Sequence, residues 1–117
     1  MDSRTLIEKY HGAWTHGDFT TARACLADDL DFQGSLEKHT RADAFVEALR
    51  GFHSMLRGVT LLRSFHDAQG AALLYDCETA TPAGTIRTAE FFTVAAGRIT
   101  AIRLVFDATA LRAMMKG

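Results

Sequence analysis

The chain has 117 residues, 48% of them hydrophobic, and its 13 basic and 14 acidic side chains leave a net charge of -1. That is the size and composition of one domain spanning 1–117 with a single core. The balanced charge, without a basic stripe, speaks against a nucleic acid partner.

No stretch approaches the roughly 20 apolar residues that cross a bilayer, so no membrane partner is expected. The opening MDSRTLIEKY is amphipathic, not a basic segment followed by an apolar run, and so does not read as a signal peptide. Cys25 and Cys77 do not make a secreted disulfide framework and are read as free and buried. A cytoplasmic location is the expectation.

In chain order, Leu6, Ile7, Tyr10, Ala13 and Trp14 recur at helical spacing and predict an amphipathic helix over 3–15, with Ser3 as a candidate cap and Gly17 beyond its end. Asp18 is placed to cap a second, short helix whose inward stripe is Phe19, Ala22, Cys25 and Leu26. Leu30, Phe32 and Gly34 alternate with Asp31 and Gln33, the pattern of a short half-buried strand. Thr40-Arg41-Ala42-Asp43 has the spacing of a capping box, with Asp in place of Glu or Gln, ahead of a helix bearing Phe45, Val46, Leu49 and Phe52 that should stop near Gly51 to Ser54.

After Gly58 the pattern changes to strands near 59–66, 71–81, 84–95 and 98–106, turning at Ala68-Gln69-Gly70, Pro82-Ala83-Gly84 and Ala96-Gly97. Connections this short belong to an antiparallel meander, since parallel neighbours need long crossovers. Asp107 can cap a last helix over 108–115. Helices first and a meander second predict an α+β domain with helices packed on one face of a curved, mostly antiparallel sheet.

This order, with "YHGAWTHGDFTTARACLADDLDFQGS", "HTRADAF", "GRITAIRLVFD" and the closing "ALRAMM", resembles the nuclear transport factor 2-like superfamily and, within it, the SnoaL-like proteins. The resemblance runs over essentially the whole chain. It implies a cone-shaped domain in which N-terminal helices and the concave sheet face enclose an apolar pocket, with homodimers formed through the outer sheet face. It implies less about chemistry, because the superfamily includes isomerases, hydrolases, polyketide cyclases, dehydratases and domains with no activity.

Comparison with ketosteroid isomerase, of the same superfamily, puts Tyr10 at the position of the tyrosine that hydrogen-bonds the substrate oxygen; an aromatic core residue on an apolar helix face is the plain alternative. Glu90 matches that family's second donor, a protonated acid. Its strand face reads Thr88, Glu90, Phe92 and Val94, so a carboxyl points inward with apolar residues. Such a group needs either a purpose or a partner. The partner reading is a salt bridge to Arg87, Arg103 or a dimer mate. Gly34 falls where that family keeps its general base, and glycine moves no proton.

His39, five positions on, is the nearest titratable residue with a suitable unperturbed pKa, though a histidine in such a loop is more often simply exposed. Asp107 belongs to an aromatic-Asp pair frequent in SnoaL-like proteins, and helix capping is its other reading. Under the same alignment Trp14, Phe32, Phe45, Tyr75, Phe92 and Phe106 line the pocket, which suits a small, apolar, ring-bearing ligand. His11, His16, His53 and His66 lie scattered without ligand spacing, so no metal is inferred; nor is there a phosphate-cradling glycine loop, so no cofactor is. The Asp-Arg-Asp set of limonene epoxide hydrolase cannot be assembled from Arg87, Glu90 and Arg103.

Two functions remain open on these residues. One is a cofactor-free isomerase, cyclase or lyase acting on a carbonyl or polyketide-like molecule, with Tyr10 and Glu90 holding an enolate oxygen and His39 or Asp107 moving the proton. The other is a non-catalytic dimeric module that binds a ligand or a protein. A closed core, filled by its own side chains, would leave only the outer sheet face for function.

Overall fold

A computed structural model describes residues 2–116. The helical spacing of the N-terminal third becomes α1 (Ser3–Thr15) and α2 (Phe19–Ala24), followed by β1 (Leu26–Gln33), the two-residue β2 (Lys38–His39) and α3 (Ala42–His53). The alternating remainder becomes β3 (Leu56–Asp67), β4 (Gly70–Thr79), β5 (Thr85–Ala95) and β6 (Arg98–Phe106), and α4 (Thr109–Lys116) closes the chain. One sheet of order β2-β1-β6-β5-β4-β3 results, antiparallel throughout except where β1 runs parallel to β6.

Register shifts interrupt three ladders, between Leu26 and Asp31, between Leu56 and Gly58 and again between Leu61 and Arg63, and between Thr93 and Val94. Each extra residue bends its strand and raises the local twist, and together they curl the sheet around the helices. On the concave side α1 buries Leu6, Ile7, Tyr10, Ala13 and Trp14, the stripe its spacing predicts. The fold is the α+β arrangement expected, with the helices against the concave face.

Local differences have local causes. The cap of α1 is Asp2, which accepts from the Thr5 amide at 2.8 Å, while Ser3 lies inside the helix and gives its hydroxyl to the Asp67 carbonyl. Asp18 does cap α2, through the Thr21 amide. Leu26 belongs to β1 and not to the α2 stripe, because it pairs with Ile99 and begins the strand four residues earlier than the Leu30–Gly34 alternation indicates. The expected capping box at Thr40 does not form. Helix α3 starts from Arg41 without a side-chain cap, and Asp43 is instead drawn to Arg23, whose guanidinium also holds Asp28. Strand β3 begins before Gly58, at Leu56.

Candidate functional site

The inner face of the sheet follows from the cross-strand register. Leu73 lies opposite Glu90 and Tyr75 opposite Thr88, so these four residues share one face, with Cys77 opposite Ile86 continuing it. Trp14 comes down onto this face from α1, with its ring centroid 6.0 Å from that of Tyr75. Between them, α3, α4 and the β1–β2 loop lies a cavity of about 350 Å³. Phe32, Phe45 and Phe106 form its walls, and Leu36, Glu37, Leu111, Met114 and Met115 contribute to its lining. The core is therefore not closed by its own side chains.

Glu90 is the polar end of this cavity. It is 2% exposed, and its Oε1 accepts a hydrogen bond from the Tyr75 hydroxyl at 2.8 Å. Burial pushes the carboxyl up to about 7, held back in part by that hydrogen bond. Both protonation states are thus accessible near neutrality. The alternative reading of Glu90, a salt bridge to Arg87 or Arg103, is not met among the described residues, and the register explains why. Arg87 and Arg103 project from the outer face, where Arg87 pairs with Asp76 and Arg103 with Asp31, both at 2.8 Å. The same facing keeps Arg87 and Arg103 away from Glu90, so an Asp-Arg-Asp arrangement is not formed by these residues.

The structure gathers Trp14, Phe32, Phe45, Tyr75, Phe106 and Glu90 around the cavity. Phe92 and Tyr10 lie behind it instead: they pack edge to face at 5.8 Å and neither lines the space. The Tyr10 hydroxyl is buried without a hydrogen-bond partner, and its pKa is raised by burial and then by the neighbouring Glu90 charge. His39 stands outside the lining, its ring beside Phe32 and Phe45, with Nε2 3.2 Å from Glu37 Oε2. Asp107 is exposed and bonds back onto the start of α4, accepting from the Thr109 amide at 3.0 Å and the Thr109 hydroxyl at 2.7 Å. Gly34 does line the cavity, but a β-carbon there would meet the Phe32 ring at 3.0 Å. A side chain at the position where the resemblance puts a base would press on an aromatic ring.

Two contributors were missed on the sequence. Tyr75 was read only as lining, yet it is the hydrogen-bond partner of Glu90; both are inner-face residues of one hairpin, two positions out of register, and counting back from the turn at Pro82-Ala83-Gly84 would have brought them together. His11, one of the histidines scattered without ligand spacing, is the second. It packs against Trp14 and Tyr75, with ring centroids 5.8 and 5.1 Å away, and burial lowers its pKa to about 4. Cys77 lines the cavity, but burial drives its thiol up to about 12, which removes the thiolate a nucleophile would need. Among the described residues no group of three metal-ligating side chains comes together, and no helix is long and apolar enough to cross a membrane.

Known structures repeat this architecture. A crystal structure of a protein from Kribbella flavida DSM 17836 is 36% identical over 97% of this chain and 96% of that one, with a TM-score of 0.85. An epoxide hydrolase of the LEH-like type from M. tuberculosis is 21% identical over 97% of this chain and 89% of its own, with a TM-score of 0.74. A second Kribbella flavida protein, provisionally named a ketosteroid isomerase, is 17% identical over 90% of this chain and 77% of its own, at a TM-score of 0.76. The last two likenesses concern the fold. No curated protein matches the chain. The family model described as the SnoaL-like domain matches residues 7–102, and with the curved sheet, the cavity and the parallel β1–β6 pairing in place, the chain belongs to the SnoaL-like family.

Proposed function

We propose that the protein handles a small, neutral, ring-bearing molecule in this cavity, with a carbonyl or other acceptor oxygen of the ligand on Glu90. The observation that carries the reading is one carboxyl, buried and paired to a phenol, at the end of a largely aromatic and aliphatic space. Tyr75 occupies Oε1, so the proton of the neutral acid sits on the other oxygen, free for an acceptor. Such a donor, held in an apolar site, stabilises the negative charge that develops on a carbonyl oxygen during enolisation. This supports cofactor-free isomerase, cyclase or lyase chemistry on a carbonyl or polyketide-like substrate, with Glu90 as the polarising acid. Names carried by the structural neighbours, an isomerase and a hydrolase among them, agree with small-molecule chemistry.

A second reading, binding without turnover, is favoured by Gly34. With Phe32 over that position, and with His39 and Asp107 outside the lining, none of the bases expected from the sequence faces the space, and the half-exposed Glu37 is the one other carboxyl in the lining. One experiment addresses the shared claim. Trp14 is the single tryptophan and lines the cavity, so its fluorescence reports occupancy. Acetophenone titrated into the protein should bind roughly tenfold more weakly at pH 8 than at pH 6, because only the protonated acid donates. Glu90→Gln should abolish that dependence. Binding indifferent to pH, or none at all, would count against Glu90 as the donor; turnover of any bound ketone would decide for the enzyme.

We also propose that a second copy covers the outer sheet face. Two cross-strand rows meet there, Phe65-Ala72-Phe91-Arg103 and Arg63-Leu74-Ala89-Val105. Phe65, Phe91 and Val105 are 58%, 50% and 57% exposed, an apolar cluster edged by charge. Light scattering should give twice the chain mass for the wild type and the chain mass for Phe91→Asp.

A further inference from the structure

The charged side chains that line the cavity are all of one sign. Of the residues lining it, Glu90 and Glu37 are the acids, and no Lys, Arg or His is among them. The nearby guanidinium groups are engaged elsewhere, Arg87 by Asp76 and Arg103 by Asp31 on the outer face, and Arg112 by the Ser35 carbonyl at the rim. The groups facing Glu90 supply no cation either. From β4 these are Tyr75 and Cys77, from α1 Tyr10 with His11 behind Tyr75, while its cross-strand neighbours Leu73 and Leu104 are apolar. Burial raises the Tyr10, Tyr75 and Cys77 pKa values and lowers that of His11 to about 4, so all four are neutral where Glu90 titrates. An ionised Glu90 is therefore met only by a neutral phenol, and a buried carboxylate of that kind is stabilised by whatever cation reaches it.

We propose that the cavity takes a second class of ligand, small apolar primary amines, which bind as ammonium ions against ionised Glu90 with their hydrocarbon ring among Trp14, Phe32 and Phe45. This rests on the reading of the cavity as a ligand site and extends it to the other protonation state of the same carboxyl. The ammonium has three donors. The Glu90 oxygen not used by Tyr75 takes one, and the hydroxyls of Tyr75 and Thr88, cross-strand neighbours in the lining, keep lone pairs for the others. Glu37, in the lining and half-exposed, gives the solvent-facing part of the cavity the same sign. Anionic ligands are disfavoured in both protonation states, since the lining holds no positive charge to receive them.

Proton balance makes the claim measurable. Below neutrality Glu90 must give its proton to solvent as the ammonium enters, so amine binding releases up to one proton and tightens as pH rises; acceptor binding weakens over the same range. Benzylamine, protonated throughout, is titrated by Trp14 fluorescence at pH 6 and pH 8, and calorimetrically in two buffers of different ionisation heat, beside acetophenone. The expected result is roughly tenfold tighter benzylamine binding at pH 8, with proton release at pH 6, and loss of both in Glu90→Gln. Tyr75→Phe, which removes the hydrogen bond to the carboxylate, should move the midpoint of both ligands to higher pH. Acetophenone binding with its expected pH dependence, and benzylamine binding that is absent, flat with pH or unchanged by Glu90→Gln, would overturn the amine proposal alone. Failure of both ligands would overturn it together with the ligand-site reading.

Discussion

The concave side of the sheet has a filled half and a hollow half, built from the same kinds of residue. In the filled half Ile7, Leu30, Ile99 and Ile102 are fully buried and none borders a cavity, while Tyr10 packs edge to face on Phe92. In the hollow half Trp14, Phe32, Phe45 and Tyr75 are as deeply buried but line about 350 Å³ of space. Burial alone therefore does not separate scaffold from site. What separates them is whether a side chain has neighbours on all sides, and Glu90 and Tyr75 sit on the boundary.

The largest expected effects test that boundary directly. Phe92→Ala removes a ring enclosed by core and should cost about 3–5 kcal/mol. Met114→Ala trims a half-exposed side chain from the cavity lining and should change stability by no more than about 0.5 kcal/mol, while altering ligand affinity. Chemical denaturation of the two variants checks the contrast. Equal losses would mean the two halves are packed alike.

Next in size are two opposed titrations at the boundary. Glu90 holds its proton to about 7 in the folded chain, above its usual value of 4.5, so the folded state binds more protons between those limits and stability falls as pH rises through them. His11, lowered from 6.5 to about 4, stays neutral while the unfolded chain protonates, so its contribution is lost as pH falls through that window. Each shift corresponds to about 3 kcal/mol at most, and their slopes cancel over most of the shared range. The wild type should therefore be nearly flat from pH 5 to 6.5. Glu90→Gln should become more stable with rising pH, and His11→Asn less stable; denaturant midpoints at several pH values read both. Parallel profiles for the two variants would refute the assignment of opposite signs.

The sequence carries the scaffold more openly than the site, and these residues show why. Alternation along 84–95 placed Glu90 on the inner face, and helical spacing placed Trp14 above it, because both depend on neighbours in the chain. The Asp18 cap was legible for the same reason. The Tyr75–Glu90 hydrogen bond depends on hairpin register, which a turn fixes only once its end residues are known. The placement of His11 depends on how α1 rests across β4, and no local pattern encodes that. Nor does spacing distinguish Phe92, in the filled half, from Phe32, which borders the cavity. Enclosed volume is a property of the whole packing.

The smallest expected effects use glycine in each half. A β-carbon at Gly70 would come within 2.0 Å of the Phe92 carbonyl oxygen, which belongs to the neighbouring strand and cannot yield without breaking the ladder. Gly70→Ala should cost about 1–3 kcal/mol. At Gly34 the obstacle is the Phe32 ring at 3.0 Å, a side chain with open space beside it. Gly34→Ala should cost less than about 1 kcal/mol, because the ring can turn into the cavity, and the cost should reappear as weaker ligand binding. A variant that lost stability as Gly70→Ala does, with ligand affinity intact, would show that Phe32 is locked against Phe45, 4.5 Å away between centroids, and that the hollow half is as rigid as the filled one.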